Sequence, residues 1–143
     1  MARLGIELTR IKYLRDHSEF GTKVDYHMSM KVNIRQVDGV TILDFSGRIT
    51  LGEGSVQLRD VVRDLLSKGN KQFLVNLAEV NYIDSSGIGE LMSAYTSVRN
   101  QGGEVKLLHL TKRVHDLLQI TKLYTVFDIR DDEAHAIAAF AGT

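Results

Sequence analysis

The chain has 143 residues, 43% of them hydrophobic and 25% charged, which predicts a single soluble globular domain with a core of its own and excludes a disordered chain. Lysine plus arginine equal aspartate plus glutamate at 18 each, so no basic bias steers the protein toward nucleic acid or an anionic membrane. Cysteine is absent, which excludes disulfides and thiol chemistry. No apolar run reaches the ~18 residues of a membrane span, and Glu7, Arg10, Lys12 and Arg15 break up any signal-peptide core, so a cytoplasmic location is expected.

Residues 1–29 carry Ile6, Leu8, Ile11 and Leu14 without a period of two or 3.6. They read as a poorly ordered extension, a dimer contact, or a mis-assigned start upstream of Met28 or Met30, with one domain over 30–143. From Lys31 the pattern sharpens. Val32 and Ile34 alternate with polar residues as in a half-buried strand, Asp38-Gly39 is a hairpin turn, and Val40 to Phe45 is a more central strand ended by Ser46-Gly47-Arg48. The loop Gly52-Glu53-Gly54-Ser55 precedes a first helix with Ser55 as the expected N-cap. Leu58, Val61, Val62, Leu65 and Leu66 form its buried face, and Arg59, Asp60, Arg63 and Asp64 its solvated one. Proline is absent, so glycines must close the helices, and Gly69 is placed to do so.

Gln72 to Leu77 reads as the next strand, followed by a short polar loop. The second helix shows Ile88, Leu91, Met92, Tyr95 and Val98 as a core stripe and stops at Gly102-Gly103. Glu104 to Leu110 is a strand, Thr111 caps a third helix with Val114, Leu117 and Leu118 inward, and Tyr124 to Ile129 is a short strand. Asp131 or Asp132 caps a last helix that packs through Ala134, Ile137, Ala138 and Phe140. The order β-β-α-β-α-β-α-β-α predicts an α/β fold: a mixed sheet of four to five strands opening with an antiparallel hairpin, with about four helices packed on it.

Three chemistries are weighed and set aside. A serine hydrolase would need glycine two residues either side of the nucleophile, and neither Ser85 nor Ser86 has this; His109 and His115 read as surface or capping residues. No two histidines have metal-ligand spacing, and Asp131, Asp132, Glu133 and His135 read as an acidic helix start. Ser86-Gly87-Ile88-Gly89 lacks both the third glycine of a dinucleotide fingerprint and the lysine of a P-loop, so no cofactor is expected. What remains is the hydroxyl pair Ser85-Ser86 at a helix start. Helix capping alone explains one serine. A second serine, with flanking glycines that leave the turn open, points to a hydroxyl acted on by another protein's active site.

Ile83-Asp84-Ser85-Ser86-Gly87-Ile88-Gly89 resembles the phosphorylation-site signature of bacterial anti-sigma-factor antagonists, small proteins of the STAS group. Leu43-Asp44-Phe45-Ser46-Gly47-Arg48-Ile49, Leu74-Val75-Asn76-Leu77, Gly102-Gly103-Glu104-Val105 and Leu123-Tyr124-Thr125-Val126-Phe127 resemble further segments of that family, so the likeness spans residues 30 to 140. The resemblance implies a STAS-like fold and a binding module, not an enzyme. Unphosphorylated, such a module binds an anti-sigma factor that is also a serine kinase and so frees a sigma factor; phosphate on Ser85 ends the binding, and a PP2C-like phosphatase restores it. Ser86 would be a secondary acceptor. Asp84, Ser85, Ser86, Gly87, Ile88, Gly89, Arg48 and Gly52 would form the partner-binding set, with no metal, and a second copy of the chain is a further partner left open. The alternative is a STAS scaffold or regulatory subunit of a signalling or transport complex that does not act on a sigma factor.

Overall fold

The computed structural model describes residues 30–141, so the expectations for residues 1–29 lie outside the described residues. The elements are β1 (Lys31–Val37), β2 (Val40–Ile49), α1 (Glu53–Ser67), β3 (Gln72–Ile83), α2 (Ser85–Asn100), β4 (Glu104–Leu108), α3 (Lys112–Ile120), β5 (Asp128–Arg130) and α4 (Glu133–Ala141). The five strands lie in the order β1-β2-β3-β4-β5, with β1 antiparallel to β2 and every later pair parallel. The mixed sheet and four helices are those expected from the element order.

Each parallel strand sits beside its predecessor, and helices α1, α2 and α3 share one face of the sheet. Their apolar residues Leu58, Val61, Leu65, Ile88, Leu91, Val98, Val114 and Leu118 join Leu43, Phe45, Phe73, Val75 and Leu77 in the main core. The opposite face carries a smaller core of Val40, Ile42, Leu74, Leu108, Ala136 and Phe140, covered by α4. Alternation along β2 (Ile42 to one side, Leu43 to the other) is the period-two geometry of a strand buried on both faces.

Both strands that lead to the serine pair are longer than their sequence suggests. β2 runs through Ser46-Gly47-Arg48 to Ile49, and β3 runs past Leu77 to Ile83, in place of the predicted polar loop. The register slips between Asp44 and Ser46 and again between Gly47 and Arg48. These bulges set Ala78 and Glu79 side by side at the surface and then return Val80 and Ile83 to the core. Helices α1 and α2 close alike. Gly69 and Gly102 adopt positive φ, and the next residues, Asn70 and Gly103, donate back to Leu65 and Val98, which is the Schellman arrangement.

The later part departs further. β4 ends at Leu108, because His109 adopts φ of 57° and turns the chain away. In place of the predicted strand Tyr124 to Ile129, the strand is Asp128–Arg130, sharing only Asp128 and Ile129 with it. The N–H groups of Leu123 and Tyr124 both donate to the Leu118 carbonyl, so Tyr124 to Val126 are spent on the turn after α3. In α4, capped by Asp132 through the His135 N–H, Ala136 and Phe140 are buried while Ala134 and Ala138, expected inside, are exposed. Ala136 and Phe140, at i and i+4, form the inward stripe with Ile137 partly buried beside them, and at about 100° per residue Ala134 and Ala138 fall on the opposite side.

Charged groups fasten α4 to its face. Arg35 on β1 donates to Asp44 on β2 at 2.6 Å and to Glu133 in the first turn of α4 at 2.9 Å. Lys106, only 2% exposed, meets Asp128 at 2.9 Å and Glu104 at 3.0 Å, with its ammonium 4.9 Å from the ring centre of Phe140. A buried ammonium needs such partners to offset its lost hydration.

Candidate functional site

β2 and β3 end side by side, with Ile49 opposite Ile83, and each leads almost directly into a helix. The N-termini of α1 and α2 therefore meet at the carboxyl edge of the sheet, where both helix dipoles present their positive ends. The link from β3 to α2 is the single residue Asp84. Its Oδ1 accepts the Gly87 N–H at 2.9 Å and caps α2, and its Oδ2 accepts the Leu51 N–H at 3.1 Å. One carboxylate thus fixes both the helix start and the loop before α1.

Gly87 allows the close approach. A Cβ there would lie 2.4 Å from the Ile49 carbonyl oxygen and 2.7 Å from Ile83 Cγ1, so only glycine lets α2 sit this near the strand ends. Gly54 has the same role in α1, where a Cβ would come within 2.7 Å of the Arg48 carbonyl.

The two serines differ. Ser85 is exposed at the first position of α2. Ser86 is partly covered, and its Oγ lies 3.1 Å from Oγ of Ser55. Ser55, expected to cap α1, is instead 4% exposed inside its first turn; the cap position is Gly52, which has no side chain to offer. Its hydroxyl donates to the Thr50 carbonyl at 2.9 Å. A hydroxyl has one proton, so Ser86 is the donor in the serine–serine bond and its proton is committed.

Of the remaining residues of the set, Gly89 and Gly52 are exposed, and Arg48 is exposed beside the strand end. Gly87, expected to leave the turn open, is buried, and Ile88 packs in the main core as its place in the apolar stripe predicts, so neither offers a partner an outward surface; they form the inner side of the first turn of α2. The structure adds residues that the sequence reading missed. Leu51, 80% exposed, stands on the loop that Asp84 holds, with Val56 partly exposed in the first turn of α1. Arg48 and Arg113 both lie over the ring of Tyr82, at 4.9 and 4.4 Å, two residues before Asp84. An aromatic next to a suspected site is a usable signal, whereas Arg113 and Ser55 come from distant segments and carry no signal of their own. Among the described residues no group of three or more metal-ligating side chains comes together, and no helix is long and apolar enough to cross a membrane.

The family model for the STAS domain matches residues 31–136. The chain belongs to the STAS-domain family. Among STAS relatives, it is 30% identical to the anti-sigma-B factor antagonist of Bacillus subtilis over 102 residues, 71% of this chain and 92% of that protein. Its fold is similar to the crystal structure of an anti-sigma factor antagonist from Mycobacterium paratuberculosis, with a TM-score of 0.71, 16% identity, and 78% of this chain and 94% of that one covered. It is also similar to the Bacillus cell fate determinant SpoIIAA solved in its phosphorylated form, with a TM-score of 0.62, 17% identity, and 76% of this chain and 98% of that one covered.

Proposed function

We propose that this STAS domain is an anti-sigma factor antagonist whose binding is switched by phosphorylation of Ser85. The observation that carries this reading is the contrast within the serine pair. Ser85 is exposed at the positive end of α2, whereas Ser86 is partly covered and donates its proton to Ser55. A kinase must take the proton of the hydroxyl it modifies, which favours Ser85 as acceptor. The relatives named antagonists supply the class of partner, an anti-sigma factor. The serine-kinase activity of that partner, and a PP2C-like phosphatase that reverses it, belong to the same proposal.

The physical effect is local. A phosphoserine brings about −1.5 to −2 charges at pH 7. The dipole of α2 offsets a part worth about 0.3–1 kcal/mol, and Asp84 opposes it, so the fold survives. A docked surface shaped for a hydroxyl must instead desolvate the dianion. A hundredfold loss of affinity needs about 2.7 kcal/mol, within the cost of one unpaired buried charge. In this reading the exposed Gly89, Arg48 and Gly52, together with Asp84, complete the partner-facing set.

The test is incubation with the cognate anti-sigma kinase and ATP, followed by mass spectrometry. One phosphate is expected on Ser85, with labelling lost in Ser85→Ala and kept in Ser86→Ala. Ser85→Asp is expected to bind the anti-sigma factor about a hundredfold more weakly. Labelling of Ser85→Ala at the unmodified level overturns the assignment.

A further inference from the structure

β5 is the outer strand of the sheet among the described residues and is three residues long: Asp128, Ile129 and Arg130. The carbonyl of Arg130 accepts the His109 N–H at 2.9 Å, on the β4 side. In a parallel ladder one residue turns both its N–H and its C=O to the same side, and its neighbour turns both to the other. Arg130 faces β4, so Ile129 points its two backbone groups outward. Among the described residues no strand pairs with them. Such an outward pair is where a further strand adds to a sheet.

The side chains restrict which strand fits. Asp128 and Arg130 lie on one face of β5, joined at 2.6 Å, while Ile129 packs against the main core on the other. A strand of arbitrary sequence would meet mismatched charge. A second copy of β5, running antiparallel about a two-fold axis at Ile129, sets Asp128 opposite Arg130 of the second copy and the reverse, so four charges alternate in sign. The chain leading into β5 adds apolar surface: Tyr124 and Val126 are each 37% exposed, and Ile120 at the end of α3 is 75% exposed.

We propose that the protein forms a two-fold dimer in which β5 pairs antiparallel with β5 of a second copy, Ile129 exchanging both hydrogen bonds with its counterpart. The joined sheet is continuous across the two copies. The Ser85 edge, at the ends of β2 and β3, is not used, so the dimer displays two phospho-acceptor sites and its existence is independent of their role.

The chain has no cysteine, so a single introduced thiol reports cleanly. In a hydrogen-bonded antiparallel pair the Cα atoms lie about 5.5 Å apart, inside the disulfide range of about 4.4–6.8 Å. Full-length Ile129→Cys under mild oxidation is expected to run at twice the 16.0 kDa chain mass, whereas Lys31→Cys on the opposite edge stays monomeric. Adding Arg130→Glu is expected to lower the cross-linked fraction about tenfold. Sedimentation equilibrium of the cysteine-free protein should show a dimer that Arg130→Glu converts to monomer with unchanged circular dichroism. A monomer at the highest soluble concentration, cross-linking that survives Arg130→Glu, or equal cross-linking from Lys31→Cys overturns the proposal.

Discussion

Ser55 and Ser86, on different helices, place their hydroxyl oxygens 3.1 Å apart, and the pair continues to the Thr50 carbonyl at 2.9 Å from Ser55. This short chain of bonds joins α1 to α2 at the residue next to the exposed Ser85. Its direction, from Ser86 to Ser55 to the backbone, follows from counting protons.

Ser55→Ala and Ser86→Ala are each expected to lower unfolding free energy by about 1 kcal/mol, the net worth of a partly buried hydrogen bond. The double variant should lose less than the sum, because the two share one bond. Ser85→Ala should stay within about 0.5 kcal/mol of the unmodified protein, as expected of an exposed side chain. Urea titrations of the four proteins decide this, and strict additivity of the two inner serines would refute the coupling.

Asp84 serves two neighbours, so its loss should show in two places. Asp84→Ala is expected to cost about 1–2 kcal/mol as a lost N-cap. It should also speed hydrogen exchange at the Leu51 amide, whose acceptor is Asp84 Oδ2. Asp84→Asn keeps an oxygen for Gly87 and should recover most of the stability. If exchange at Leu51 is unchanged in Asp84→Ala, the carboxylate does not hold that loop.

The glycines of the signature should respond in opposite directions. Gly87→Ala sets a methyl 2.4 Å from the Ile49 carbonyl and is expected to destabilise by about 1–3 kcal/mol. At Gly89 a Cβ meets nothing within 4 Å. Gly89→Ala, within a helix, should stabilise by about 0.5–1 kcal/mol. Thermal melts of the two variants test the pair, and similar shifts of the same sign would count against the tight packing of α2 on Ile49.

Acid should loosen the fold through two carboxylates. Burial alone would raise Asp44, but hydrogen bonds from Arg35 and Asn76 outweigh it and hold the carboxyl below its ordinary range. Asp128 is held at about 2, against an ordinary 3.8, chiefly by Arg130 and then, against slight burial, by Lys106. Both values are depressed by folding, so this stability is fully present above the unfolded carboxylate range. It is lost as pH falls from about 4 toward 2, where the unfolded chain binds more protons than the folded one. Melting temperatures between pH 6 and 2 should fall across that window, and Asp128→Asn should flatten the curve. A flat profile for the unmodified protein would refute the two pairings.

The hairpin turn was legible because Asp38-Gly39 admits few other structures, and Gly39 does adopt a φ of 81° there. The helix faces were legible because their apolar spacing leaves one orientation for burial. The outer part of β3 was not, since Ala78-Glu79 breaks the alternation and only a bulge, set by pairing with β2, restores it. Tyr124 to Val126 have strand-forming side chains, yet the chain there closes the end of α3, where tertiary hydrogen bonds override local preference. At the candidate site, the start of α2 at Asp84-Ser85 was readable from local spacing. The role of Ser55 depends on a contact across 31 residues, and that of Tyr82 on arginines from β2 and α3, which one-dimensional patterning does not encode.

The one-residue join between β3 and α2 leaves no slack at the position that follows it. The backbone of residue 85 therefore stays where strand and helix hold it, with its side chain on the solvent side. Were a mark set on so fixed a mount, it would be read from outside, like a pin on a lapel, by a visitor and not by the chain that wears it.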